Sequence, residues 1–246
     1  MIALTETTAI TAVDANSQTL LYSRGNLSEG IREDNYQKLT VSLNALLEEL
    51  HAFQEHTLLL KTYFRNLSRL AESDTPDSIS GQTERLVSEI QNLGGQLEKA
   101  ESVKKYLRPA VTLIVANYKH KALEEELRKR AHVLERELEL QSAYLKALAE
   151  GLISDAEYLK EMKQTKNISS YIERGPLDEK WTKERRELLT SKRSTDILDT
   201  ATMAADNLKT TFEALIENKI KPGDFETLFS DIDAILALVE IARSHS

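Results

Sequence analysis

The chain has 246 residues with only 8 glycines and 4 prolines, too few turn-formers for a sandwich or barrel that must turn every ~8–12 residues. Charged residues make up 29% and hydrophobic residues 41%, which excludes a disordered or membrane-embedded composition. The net charge of −8 and the absence of cysteine exclude a general nucleic-acid coat, disulfides, thiolate metal sites and cysteine nucleophiles.

The first residues lack a basic start and an apolar run of signal-peptide length. The longest nearly uncharged apolar stretch, Leu107–Asn117, contains Arg108 and falls short of the ~20 residues of a spanning helix. A cytoplasmic protein is expected, or one secreted without a recognisable signal peptide. Residues 1–31 are rich in Thr, Ser, Ala and Asn. They are expected to form an extended or weakly helical arm, followed by a single elongated helical bundle over 32–246.

The first strong period begins near Asp34. Leu39, Leu43, Leu46, Leu50, Phe53, Thr57, Leu60, Phe64, Leu67 and Ala71 recur in steps of four and three, the 3.5-residue average of a left-handed seam. Ser73–Pro76 should end that helix and cap the next. A second seam runs Ile79, Thr83, Leu86, Ile90, Leu93, Leu97, Ala100, with Gly94 and Gly95 inside it; each glycine weakens a helix by about 1 kcal/mol. Pro109 is expected to kink a helix or begin a new one. The third seam resumes at Leu113, Ala116 and His120 and continues through Leu123, Leu127, Ala131, Leu134, Leu138, Gln141, Leu145, Leu148 and Leu152.

Gly151 suits the end of that helix, and Ser154-Asp155-Ala156-Glu157 reads as a capping box that opens a shorter one. Arg174-Gly175-Pro176 should close it, with a helix over 177–219 next, whose seam is Leu198, Ala201, Ala205, Leu208, Phe212, Leu215. After the turn at Lys221–Asp224, Phe225, Leu228, Phe229, Ile232, Ile235, Leu236 and Val239 form a broad apolar stripe. That last helix is expected to dock on the 177–219 helix or on a partner. Long helices joined by short turns fold back antiparallel. The fold class expected is all-α: an elongated antiparallel bundle with long coiled-coil-like helices.

None of the phosphate-loop, dinucleotide, zincin or serine-hydrolase motifs occurs, so no catalytic residue, cofactor or metal is expected. Glu48-x-x-His51 matches half of a di-iron bundle motif. None of the other histidines, His56, His120, His132 and His245, has an acid three residues before it, so a solvated helix face is the simpler reading. His120 and Gln141 fall on seam positions, where a polar residue either sets register or marks partial exposure. Residues 160–193 hold ten basic against six acidic groups, with Tyr171 and Trp181 among them. Such a stretch is either an ordinary solvated helix with ion pairs or a contact for a protein, a membrane or, less readily, nucleic acid. The segment Tyr106–Tyr118 is β-branched and free of acid, and reads most simply as a thick part of the core, the alternative being a segment that re-docks onto a partner or a lipid surface.

In helix length and seam pattern alone, the chain resembles the long-helix rods of α-helical pore-forming toxins, including the xenorhabdolysin-type binary cytolysins. It departs from them in having no clear hydrophobic hairpin or tongue. The resemblance implies an elongated soluble bundle that rearranges at a membrane, and it transfers no site residue. Helical accessory subunits of larger assemblies have the same appearance. The function expected is a non-enzymatic structural or interaction subunit in a homo- or hetero-oligomer. A toxin component and an accessory subunit of a nucleic-acid-associated complex are the alternatives. Self-association or a protein partner is expected and no small-molecule substrate. The candidate interaction surface comprises Lys180, Trp181, Lys183, Arg185, Arg186, Phe225, Phe229 and Ile232.

Overall fold

The computed structural model describes residues 12–21, 29–72, 77–109, 113–116, 121–172, 179–190, 195–217, 219 and 229–233. The fold is all-α, and no strand occurs among the described residues. In chain order the helices are α1 (12–21), α2 (Glu29–Glu72), α3 (Asp77–Leu97), α4 (Glu101–Lys104), α5 (Lys121–Ile172), α6 (Glu179–Thr190), α7 (Thr195–Ile216) and the helical residues 229–233, here α8. None of the described helices is long and apolar enough to cross a membrane.

Helix α5 is central and contacts α2, α3, α4, α6 and α7. Side-chain partners give the directions. His56 meets Glu137 and Tyr63 meets Glu126, so α2 and α5 are antiparallel. Arg130 reaches Thr83 and Glu137 lies at Gly94, so α3 runs parallel to α5. Ser142 meets Asp206, and Glu135 and Glu139 meet Lys209, which sets α7 antiparallel to α5.

The seams explain this packing. Leu50, Phe53, Leu60, Phe64 and Leu67 of α2 are each at most 3% exposed, and so are Leu123, Leu127, Ala131, Leu134, Leu138 and Leu145 of α5. Phe64 and Phe212 meet edge to face, 5.7 Å between centroids. Fully burying such a side chain contributes roughly 1.5–3 kcal/mol. Helix α2 also buries a second stripe, Ala52, His56, Tyr63 and Leu70, because it packs on α3 and α5 together.

Of the arm expected over residues 1–31, residues 12–21 are helical: Ala12 and Ala15 are buried, and Asn16 donates to the Leu39 carbonyl at 2.8 Å. Other expectations need correction. Helix α5 does not stop at Gly151. It runs unbroken for 52 residues through Ser154–Glu157, about 78 Å of helix. An interior glycine costs about 1 kcal/mol, whereas two new helix ends would each expose four unpaired backbone groups. Pro109 neither kinks nor opens a helix: residues 107–109 and 113–116 are irregular and α5 begins at Lys121. In this segment Leu113, Val115 and Ala116 are half-buried and Ile114 is 84% exposed. The Ala116 amide donates to the Ile216 carbonyl at 2.9 Å, which occupies a carbonyl at the α7 C-terminus that has no partner within its helix.

The helix expected over 177–219 is described as α6 and α7, with 191–194 outside the described residues. The stops at 73–76, 175–176 and 222–224 also lie outside them, as do His120, His245, Phe225, Leu228, Ile235, Leu236 and Val239. Helix α8 is docked within the chain. Ile232 is 0% exposed, and Asp233 pairs with Lys61, which places α8 beside α2.

Candidate interaction surface

Polar side chains on α5 enter the core at three levels. At the first, the Tyr63 hydroxyl donates to Glu126 Oε1 at 3.0 Å, and Arg130 Nε lies 3.2 Å from the same oxygen. A guanidinium nitrogen of Arg130 also donates to the Thr83 carbonyl at 2.7 Å. Burial, then the charge of Glu126, push the Tyr63 hydroxyl pKa well above its ordinary value.

The second level is His56, Glu137, Gln141 and Thr57. The Gln141 amide donates to His56 Nδ1, so the ring proton sits on Nε2 and is donated to Glu137 Oε2 at 2.9 Å. Thr57 Oγ1 lies 3.1 Å from Gln141 Oε1. The Glu137 carboxylate fits because position 94 is glycine: a Cβ there would clash with Oε2. Gln141 is 1% exposed, so that seam position is not partly exposed. The sequence reading missed His56, which stands on the second buried stripe of α2.

The third level faces α7. Lys209 is 3.4 Å from Glu135 and 2.5 Å from Glu139. Burial alone would lower the Lys209 pKa, but the hydrogen bond and charge of Glu139, with Glu135, outweigh it and hold the pKa raised. Glu139 also accepts from the Arg108 amide at 3.3 Å, which ties the irregular 107–109 segment to α5. Every carboxylate in these levels has a cationic, histidine or hydroxyl partner, as buried charge requires. All three levels are occupied by side chains and form packed structure.

The surface candidate lies further along α5. Beyond Leu148 the helix continues with α6 folded back on it. Trp181 Nε1 donates to the Asn167 carbonyl at 3.1 Å, the Trp181 and Tyr171 rings stack at 6.2 Å, and Arg185 lies over Trp181 at 5.7 Å. Lys166 and Glu184 are 4.0 Å apart. Trp181 therefore joins the two helices of the hairpin. Lys180, Lys183, Arg185 and Arg186 are exposed. The other predicted surface residues part from this group: Phe229 packs against the core and Ile232 is buried in it, while Phe225 is outside the described residues.

Tyr171, named from the sequence within the basic stretch, is 66% exposed; its neighbours Ile168, 51% exposed, and Ile172, 67%, were not marked as surface. On α2, before Leu50, Tyr36 is 58% and Val41 69% exposed. The signal was present: Tyr158, Ile168 and Ile172 share a strip of three- and four-residue steps that no described neighbour covers. Glu48 and His51 are exposed, and His51 lies 3.4 Å from Glu55. No group of potential metal ligands occurs among the described residues. No protein-family model matches the chain, and no match to it is found among curated proteins or solved structures.

Proposed function

We propose that the chain is a non-enzymatic structural or interaction subunit, an elongated antiparallel bundle with coiled-coil seams that works in a homo- or hetero-oligomeric assembly. The observation that carries this is the exposed apolar residues on the two helices that outrun their shared core: Tyr36 and Val41 on α2, and Ile168, Tyr171 and Ile172 on α5. Clustered apolar surface rimmed by charge marks an interaction site. Native mass measurement of the protein taken intact from its own cells should give a mass above that of one chain. Replacing Tyr171 and Ile172 with serine should lower that mass without unfolding the chain. A single-chain mass for the unaltered protein would end this reading.

The rival reading is a soluble component of an α-helical pore-forming toxin. The same exposed apolar end of α5 favours it, since a rod that rearranges at a bilayer needs such surface. Vesicle leakage that requires this chain, alone or with a second component, would decide for the rival.

A further inference from the structure

We infer that the α5–α6 hairpin docks on the N-terminal arm of α2 in a second copy of this chain, and that the contact is made twice in an isologous dimer. The inference rests on the interaction-subunit reading and names the partner. Helices α2 and α5 are antiparallel and share their core between Leu50–Leu70 and Leu123–Leu148. Residues 29–49 of α2 and the end of α5 therefore leave that core at the same end. Their charges are opposite. Residues 29–49 hold five acidic against two basic groups, while 160–193 hold ten basic against six acidic ones.

Each arm carries apolar and charged residues on one side. At 100° per residue, Glu33, Val41 and Glu48 fall within roughly 80° of one another on α2, with Tyr36 about 60° to the other side of Glu33, and all are exposed. By the same count Lys160, Ile168, Tyr171 and Ile172 share one side of α5, also exposed, and the exposed Lys180 precedes Trp181, which stacks on Tyr171, on α6. A two-fold axis at this end brings each arm onto the opposite arm of its mate, so the acidic and basic sides pair twice. An anionic bilayer fits less well, because the acidic arm of α2 would approach it together with the hairpin.

The test uses two charge-reversed full-length chains. The first carries Lys160→Glu and Lys180→Glu, the second Glu33→Lys and Glu48→Lys. All four positions are exposed, and circular dichroism should show both variants folded as the unaltered chain is. In analytical ultracentrifugation the unaltered chain should sediment as a dimer that weakens in high salt. Each variant alone should sediment as a monomer, because the reversed residues of one arm then face residues of the same sign on the other: glutamates at 160 and 180 against Glu33 and Glu48, or lysines at 33 and 48 against Lys160 and Lys180. Mixed in equal amounts, the variants should form a dimer, since at these four positions both contacts again pair opposite signs. A monomeric unaltered chain, a variant that stays dimeric alone, or a mixture that stays monomeric would overturn the inference. So would binding of the unaltered chain to phosphatidylglycerol vesicles as a monomer in solution. A monomeric pure chain with a heavier native complex would leave the subunit reading standing and remove only the second copy.

Discussion

Gly94 and Gly95 are adjacent on α3 and should answer alanine in opposite directions. Nothing lies within 4 Å of a Cβ built at Gly95, while one at Gly94 would meet the Glu137 carboxylate. Gly95→Ala should therefore stabilise the fold by about 0.5–1 kcal/mol, the helix propensity gain. Gly94→Ala should destabilise it by about 1–3 kcal/mol, because the carboxylate must leave His56 and the buried ring loses its acceptor. Chemical denaturation of the two variants checks the pair. In a Glu137→Ala background the Gly94→Ala penalty should vanish; a penalty that persists would place its cause elsewhere. Asp231 offers a pH prediction at the same scale. Its Oδ2 is buried without a hydrogen-bond partner among the described residues, and burial raises its carboxyl pKa. A raised acid binds its proton more tightly folded than unfolded, so the charged form weakens the fold at neutral pH and protonation relieves it. Asp231→Asn should thus raise the melting temperature at pH 7, with the difference shrinking as pH falls through the carboxyl range. A difference that grows in acid would contradict this.

At the scale of elements, α5 tests how far local signals can be read. If Gly151 closed a helix in a left-handed conformation, alanine there would destabilise. In the interior of α5, with open space around its Cβ position, Gly151→Ala should stabilise by about 1 kcal/mol. Ser154→Ala should likewise be neutral or mildly stabilising, where loss of a true cap costs about 0.5–2 kcal/mol. Thermal unfolding decides both. The seams were legible because burial repeats every three or four residues over dozens of positions, as from Leu50 to Leu67 and from Leu123 to Leu148. Ser154–Glu157 misled because a capping box is four residues of side-chain chemistry and carries no information about tertiary neighbours. Here the Asp155 carboxyl is partly buried, enough to raise its pKa, so the segment has neighbours that local reading does not contain. His56 was invisible for a related reason: a helix packed on two partners buries two stripes, and the second is readable only once both partners are known. The basic excess over 160–193 is legible as charge, whereas the exposure of Ile168 and Ile172 depends on which neighbours cover α5, which no local stretch of sequence contains.

Across the whole molecule, the risk in joining long helices by repeating seams is a slip by one heptad, which re-pairs leucine with leucine. The level of His56, Glu137 and Gln141 discriminates against that slip, because a shift of about 10 Å would part His56 from both Glu137 and Gln141 and leave three buried polar groups without their present partners. Its parts are unequal in isolation and in combination. His56→Leu leaves Glu137 buried without its donor and should cost about 3 kcal/mol. Replacing His56, Glu137 and Gln141 together by leucine removes every group that needs a partner; Thr57 retains its bond to the Phe53 carbonyl. That triple variant should be at least as stable as the unaltered chain, as apolar replacement of buried charged groups often is. What it should lose is a unique register. The chain has no cysteine, so spin labels can be placed cleanly on cysteines introduced at His51 and Lys129, whose side chains are 70% and 61% exposed. The otherwise unaltered chain should give one narrow distance between α2 and α5. The triple variant should add a second population displaced by about 10 Å, or broaden towards it. If it kept the single narrow distance at undiminished stability, the apolar packing alone would set the register. The three buried polar groups would then have to be kept for some other reason.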